Sequence, residues 1–133
     1  MKFLKNKSKE NLLWDAYNET SVEISLGDKV LTENQLQSLW RQDFFMITAS
    51  NPFSQRLSIE ENKSRNEELR VLLSQDYVEI LAGIGKSPNG TWAEEGWVVR
   101  GGDEAKLISL AKKFQQNAIF KFTSSGREII NCQ

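Results

Sequence analysis

The strongest constraint on the fold of this chain is a short apolar run, Phe44–Ile47, that is soon followed by a proline. Residues 43–50 are rich in strand formers, and an uninterrupted apolar run is typical of a central strand that other elements cover. Pro52 lacks an amide hydrogen and restricts the backbone of Asn51, so a strand cannot continue through this point. We therefore predict a buried strand over residues 43–50, followed by a loop at one edge of a sheet.

The segments after this strand alternate between helical and strand patterns. Ser58-Ile59-Glu60-Glu61 forms a capping box that begins a helix to about Gln75. Further elements are then predicted in this order: a strand over 77–84, a turn at 87–90, a strand over 96–100, a helix capped by Asp103 and a strand over 118–122. Residues 44–122 thus have the order βαββαβ, which is the split-βαβ or ferredoxin-like pattern. The predicted fold class is α+β, with an antiparallel four-stranded sheet at its core.

Additional elements are predicted on both sides of this core. Residues 1–10 form a lysine-rich segment that we interpret as a flexible leader, with Ser8 as the N-cap of the first helix. Residues 21–26 alternate apolar and polar side chains like an amphipathic strand, and a capping box from Thr32 to Gln35 begins a short helix. A last strand is predicted over 128–131. The prediction is one domain over 1–133, with an N-terminal helix–strand–helix extension and an extra C-terminal strand.

Composition narrows the classes of function. The chain has 133 residues, and its 17 basic and 18 acidic side chains nearly cancel, which makes a nucleic-acid partner unlikely. It has no histidine, which excludes histidine-based acid–base catalysis, nucleophile activation and metal ligation. The sole cysteine, Cys132, cannot form an internal disulfide, so we expect a cytoplasmic protein. No apolar run is long enough to span a bilayer, and no membrane partner is expected.

Polar loops converge at one edge of the predicted sheet. In a ferredoxin-like fold, the end of the first core strand, the tip of the hairpin and the end of the second core helix lie together, here at residues 50–56, 86–95 and 115–117. We predict a ligand-binding site there. Its candidate residues are Asn51, Ser54, Arg56, Asn62, Asn66, Lys86, Trp92, Glu95 and Asn117.

Two groups of these residues have alternative interpretations. Asn62 and Asn66 lie along an apolar helix face, where they either fasten the neighbouring loop and hairpin or line a pocket. Arg56 and Lys86 either bind an anionic ligand or pair with Glu94 or Glu95. The two glutamates are adjacent, so in a strand they point to opposite sides and do not form a catalytic carboxylate pair. No catalytic residue and no metal ligand is predicted.

Several of these segments together resemble a known family. They are the run 47–54 (ITASNPFS), Asn62, Asn66, Gly85, the run 92–95 (WAEE) and the run 114–120 (FQQNAIF). In this combination the chain resembles DUF3293, a bacterial family described as a domain of unknown function. The resemblance covers most of the chain and implies a common fold unit and a common loop edge. The family usually has an aromatic residue at the position of Ser50 and often glycine at that of Gln115.

From these features we expect a function that needs no cofactor. We expect a non-enzymatic binding module whose polar edge binds a small polar or anionic ligand, of the nucleotide or phosphorylated-metabolite class. The alternative is a protein that uses the same edge, or an outer strand beginning near Ser21 or Glu128, to bind a protein partner or a second copy of itself. A third and weaker alternative is a histidine-independent, metal-assisted hydrolase that uses Glu94 or Glu95.

Overall fold

The computed structural model describes residues 9–133. Its α-helices are α1 (Lys9–Glu19), α2 (Glu33–Trp40), α3 (Ile59–Leu73) and α4 (Glu104–Lys113). Its strands are β1 (Ser21–Leu26), β2 (Lys29–Thr32), β3 (Phe44–Ile47), β4 (Leu81–Lys86), β5 (Ala93–Arg100), β6 (Ala118–Thr123) and β7 (Gly126–Asn131). Most of the predicted leader, and its cap Ser8, lie outside the described residues; Lys9 and Glu10 belong to α1.

All seven strands form one antiparallel sheet in the order β2-β1-β4-β5-β3-β6-β7. The four central strands are β4-β5-β3-β6, so the first strand of the βαββαβ unit lies between its third and fourth strands. This is the strand arrangement of a ferredoxin-like core, and it confirms the predicted α+β fold class. The sheet is larger than that core, because β1 and β2 extend it on one side and β7 on the other.

Helices cover both faces of the sheet, which explains why every residue of β3 is buried. On one face, Leu69 of α3 and Leu107 of α4 pack with Phe45 in one hydrophobic core. On the other face, Leu36 of α2 packs with Phe44 and other apolar side chains in a second core. The capping boxes predicted at Thr32 and Ser58 are both formed. Burial on both faces therefore stabilises a strand whose side chains are all apolar.

The structure corrects some of the predicted element boundaries. Lys29–Thr32 forms the additional strand β2, which is mostly exposed and too short to show a clear alternation. As a result, β1 pairs on both sides, and the outer strand on this side of the sheet is β2 rather than the strand beginning near Ser21. The hairpin is also shifted: β4 begins at Leu81, and β5 extends back to Ala93 because Lys86 pairs with Ala93. The outer strand predicted near Glu128 is present as β7.

Within residues 9–133, no helix combines the length and the apolar composition that crossing a membrane would require.

Candidate functional site

A cleft opens where α1, the loop after β3, the start of β5 and the start of β6 meet. Its inner part encloses about 50 Å³, and its outer part, toward Arg56, encloses about 250 Å³. The side chains that carry the polar and aromatic character of its walls are Tyr17, Asn51, Ser54, Trp92, Glu94, Asn117 and Phe120. Gly85 forms part of the lining, and a Cβ atom there would lie 3.1 Å from Cγ2 of Thr20. A side chain at this position would therefore crowd Thr20, which also lines the inner part.

Glu94 is the acidic residue of the cleft. Its side chain is half-buried, and its Oε2 accepts a hydrogen bond of 2.7 Å from Nδ2 of Asn51. Burial raises the pKa of Glu94 above its usual range, while the hydrogen bond from Asn51 acts in the opposite direction. The described residues that line the inner part include no lysine or arginine. Arg56 lines the outer part, but Glu94 takes part in none of the ion pairs found among residues 9–133.

Asn51 is held in position by Asn62 of α3. The backbone amide of Asn51 donates to Oδ1 of Asn62 at 2.9 Å, and Nδ2 of Asn62 donates to Oδ1 of Asn51 at 2.8 Å. The amide of Leu57 also donates to Oδ1 of Asn51 at 2.9 Å. These bonds fix the side chain of Asn51 with its Nδ2 toward Glu94. Asn62 thus acts on the cleft through Asn51.

Asn66, one turn further along α3, lies behind the cleft and is buried. Its Oδ1 accepts from the amide of Ala49 at 2.8 Å, and its Nδ2 donates to Oγ of Ser50 at 2.9 Å and to the carbonyl of Glu95 at 3.2 Å. The side chain therefore joins α3 to the end of β3 and to β5. For both asparagines, these contacts support the hypothesis that they fasten the loop and the hairpin.

A second polar group lies where the loop after β3 meets the start of β6. Nδ2 of Asn117 donates to Oγ of Ser54 at 3.2 Å, and both side chains lie near the hydroxyl group of Tyr17. Burial raises the pKa of Tyr17, so this hydroxyl group is protonated at neutral pH. The ring of Tyr17 contacts that of Phe120 edge-on, with centroids 6.0 Å apart. Helix α1 thereby supplies both a hydroxyl group and an aromatic face to the cleft.

The backbone around the cleft is strained. Of the five non-glycine residues with left-handed φ among those described, four lie at this edge: Asn51, Phe53, Ser54 and Gln115. The amide of Phe53 donates to the carbonyl of Gln115 at 2.7 Å, which joins the two strained segments. The φ of Gln115 is 59°, a value that glycine adopts without cost. This explains why glycine suits that position in the family that the sequence resembles.

The structure brings together only some of the predicted site residues. Asn51, Ser54, Arg56, Trp92 and Asn117 line the cleft, whereas Asn62 and Asn66 lie behind it.

The remaining two predicted site residues, Lys86 and Glu95, lie outside the cleft. Nζ of Lys86 lies 3.1 Å from the carboxylate of Glu23, so it pairs with neither Glu94 nor Glu95. Glu95 lines a separate groove together with Glu23 and residues of α3. As predicted for adjacent strand residues, Glu94 and Glu95 point to opposite faces. The polar edge is therefore divided between two faces of the sheet.

Sequence reasoning did not assign Tyr17, Gly85, Glu94 and Gln116 to the site. Alternation along β5 showed that Glu94 and Glu95 point to opposite faces of the sheet. Helices cover both faces, so alternation alone did not show which of the two glutamates enters a cleft. For Tyr17 no sequence signal exists, because the docking of α1 against the loops is a tertiary event.

Among residues 9–133, no group of three or more histidine, cysteine, aspartate or glutamate side chains could hold a metal ion.

Comparison with known proteins gives one match. The family model described as "Protein of unknown function (DUF3293)" matches residues 47–119, from the end of β3 to the start of β6. Neither the curated proteins nor the solved structures contain a match to this chain. The matched segment includes the loop, the hairpin and Asn117, which form most of the cleft.

Proposed function

Because this chain belongs to the DUF3293 family, whose description assigns no activity, we propose its function from the geometry of the cleft. The protein is a binding module, and its cleft binds a small polar molecule that carries an acidic group. Nucleotides and phosphorylated metabolites are the ligand classes that we propose. We place this function in the bacterial cytoplasm, in keeping with the bacterial family that the sequence resembles and with a single cysteine that has no internal partner.

The observation that carries this proposal is the convergence of polar groups and aromatic rings in one strained cleft. Glu94, Tyr17 and Asn117 come from three separate elements, and Trp92 and Phe120 add flat apolar surface beside them. Small-molecule sites commonly combine apolar walls with a few placed polar groups. Left-handed backbone at non-glycine residues costs about 1–3 kcal/mol at each position and concentrates at functional sites.

The charges of the cleft indicate how a ligand would lie. Arg56 is the basic residue among the described residues that line the two parts, and it belongs to the outer part. An acidic group is therefore accommodated at the mouth, beside Arg56, where solvent also reduces the cost of its charge. Glu94 lines both parts, so its carboxyl group would repel an acidic group placed farther in, away from Arg56. We therefore place the hydrogen-bond donors of the ligand inside and its acidic group outside.

Titration followed by amide chemical shifts tests this proposal. The probes are the four ribonucleoside 5′-monophosphates and glycerol 3-phosphate, each added up to 10 mM. We expect shifts at Tyr17, Trp92 and Asn117, and weaker binding to Arg56→Gln. Lys63→Gln is the matched control, because Lys63 is exposed and lines the separate groove. If none of the probes shifts these amides, the small-ligand proposal fails.

A second candidate, acid–base catalysis, is favoured by the raised pKa of Glu94. A half-buried carboxyl group in a cleft is the type of group that can donate a proton near neutral pH. We propose this activity as secondary, and in a form that needs no metal cluster. A pH–rate profile that disappears in Glu94→Gln but persists in Glu95→Gln would support it, for any probe found to be turned over.

Docking of a second copy of the chain is favoured by strand β2. Within residues 9–133 one edge of this outer strand has no strand paired to it, and Val30 on it is 62% exposed. Such an edge can extend a sheet across a dimer. Light scattering tests this candidate: a dimer that Val30→Lys converts to a monomer would support it, whereas a monomer at millimolar concentration would contradict it.

A further inference from the structure

We propose that the ligand group that enters the inner part of the cleft is a positively charged nitrogen, an ammonium or an amidinium, held by Glu94 and the surrounding aromatic rings. This inference rests on the proposed function, because it names the buried end of the same ligand. It also restricts the ligand to molecules with a cationic nitrogen at one end and an acidic group at the other.

The first argument is the charge of the inner part. Glu94 is the carboxyl group in its lining, and its hydrogen bond to Asn51 involves only Oε2. Ionising a half-buried carboxyl group raises the free energy of the protein when no ion pair is formed, because the carboxylate loses hydration and no opposite charge replaces it. Burial accordingly raises the pKa of Glu94. A cationic group of a ligand would supply the missing charge and favour the ionised carboxylate.

The second argument is the aromatic character of the walls. Tyr17, Trp92 and Phe120 all line the inner part. The faces of such rings carry negative potential and attract cations, by about 0.5–2 kcal/mol for each favourable contact. One ring already shows this behaviour, since the guanidinium carbon of Arg127 lies 4.9 Å from the centroid of Phe120. The charge of Arg127 is balanced by Glu33, with which it forms an ion pair.

The third argument is the group of polar side chains that lines the inner part together with Glu94. The hydroxyl groups of Tyr17 and Ser54 and the amide oxygen of Asn117 can accept hydrogen bonds. An ammonium group has three donors and an amidinium has four, more than the carboxylate alone can satisfy. These three side chains therefore offer acceptors for the remaining N–H groups, which a neutral alkyl group in the same place would leave unused.

The experiment compares two probes that differ in one group. In propyl phosphate a methyl group replaces the ammonium group of 2-aminoethyl phosphate, while the acidic end is the same. Each is titrated into the full chain at pH 7.5, and its affinity is measured from the amide chemical shifts of the cleft. We expect 2-aminoethyl phosphate to bind at least ten times more tightly. We expect Glu94→Gln to remove this preference and Glu95→Gln, the adjacent residue on the opposite face, to retain it.

A pH series on the unmodified protein gives a second measurement, which does not depend on the folding of a variant. The preference for the ammonium compound should decrease as the pH falls through the raised pKa of Glu94, because the protonated carboxyl group has no charge to offer. Glu94 is the carboxyl group among the described side chains that line the two parts, and Tyr17, whose pKa is raised by burial, stays neutral throughout such a series. The phosphate titrates with a different pKa in each probe, because the ammonium group stabilises the phosphate dianion, so its ionisation is measured in each probe by ³¹P chemical shift and allowed for.

The possible outcomes separate the two proposals. Equal affinities with shifts in the cleft would overturn the cationic-nitrogen inference and leave the proposed function standing. A preference that Glu94→Gln retains, or that does not change with pH, would also overturn the inference. If neither probe shifts the amides of the cleft at 20 mM, the inference fails; the proposed function fails with it only if the nucleotides and glycerol 3-phosphate give no shifts either.

Discussion

Replacing Asn66 by alanine tests whether this side chain fastens the wall of the cleft. The amide of Ala49, which is fully buried, would lose its acceptor, at a cost of about 1–3 kcal/mol. The two hydrogen bonds from Nδ2, to Ser50 and Glu95, would add about 0.5–1.5 kcal/mol each. Alanine would return about 0.5 kcal/mol through its higher helix propensity. We therefore expect the free energy of unfolding to fall by about 1.5–5.5 kcal/mol.

Urea denaturation followed by tryptophan fluorescence measures this effect. For a domain of this size the slope is about 2 kcal/mol per molar urea, so the midpoint should fall by about 1–3 M. Ser64→Ala is the matched control, because Ser64 is an exposed residue of the same helix, and its midpoint should change little. A loss below about 1 kcal/mol for Asn66→Ala, with an unchanged slope, would refute the fastening role.

Two further predictions concern charged groups. The pKa of Glu94 is higher in the folded protein than in the unfolded chain. Protonated Glu94 therefore stabilises the fold. This contribution is fully present at a pH below the pKa of the unfolded chain and is lost as the pH rises through the pKa of the folded protein. Glu94→Gln should therefore melt at a higher temperature than the original protein at pH 7.5 but not at pH 3.5. Glu95→Gln, the control, should show no such dependence on pH. An equal change in the melting temperature of Glu94→Gln at both pH values would contradict this argument. Arg127→Met should lower the free energy of unfolding by about 3–5 kcal/mol, because it leaves the shielded carboxylate of Glu33 without its partner. In chemical denaturation, Lys106→Met, at an exposed ion pair, should cost under about 1 kcal/mol, and similar losses for the two variants would contradict the argument.

The sequence was sufficient for the order of the core elements, because the signals for that order are local. The apolar run at 44–47, the two capping boxes and the turn residues after Ser87 each act within a few positions. Element boundaries at the hairpin were less accurate. The pairing of Lys86 with Ala93 depends on register across two strands, and no local signal specifies it. Strand β2 was missed for the same reason, since four mostly exposed residues form a strand only through pairing with β1.

The candidate site was predictable in part. Asn51, Ser54 and Asn117 lie in loops that the core topology brings to one edge, so their order in the chain was enough to place them together. The division of that edge between two faces depended on tertiary packing. Lys86 forms an ion pair with Glu23 of β1, a strand outside the predicted core sheet.

By itself, then, the sequence determined which elements form, in which order, and which loops meet. The tertiary structure decided which side chains those loops present to each other. Tyr17 enters the cleft because α1 packs on β6 and β7, with Arg127 donating to the carbonyl of Tyr17 at 2.7 Å. Glu94 becomes half-buried because that helix covers its face of the sheet. The physical reason is one of range: capping and alternation act between near neighbours in the chain, whereas burial and charge in the cleft depend on groups that are distant in the sequence.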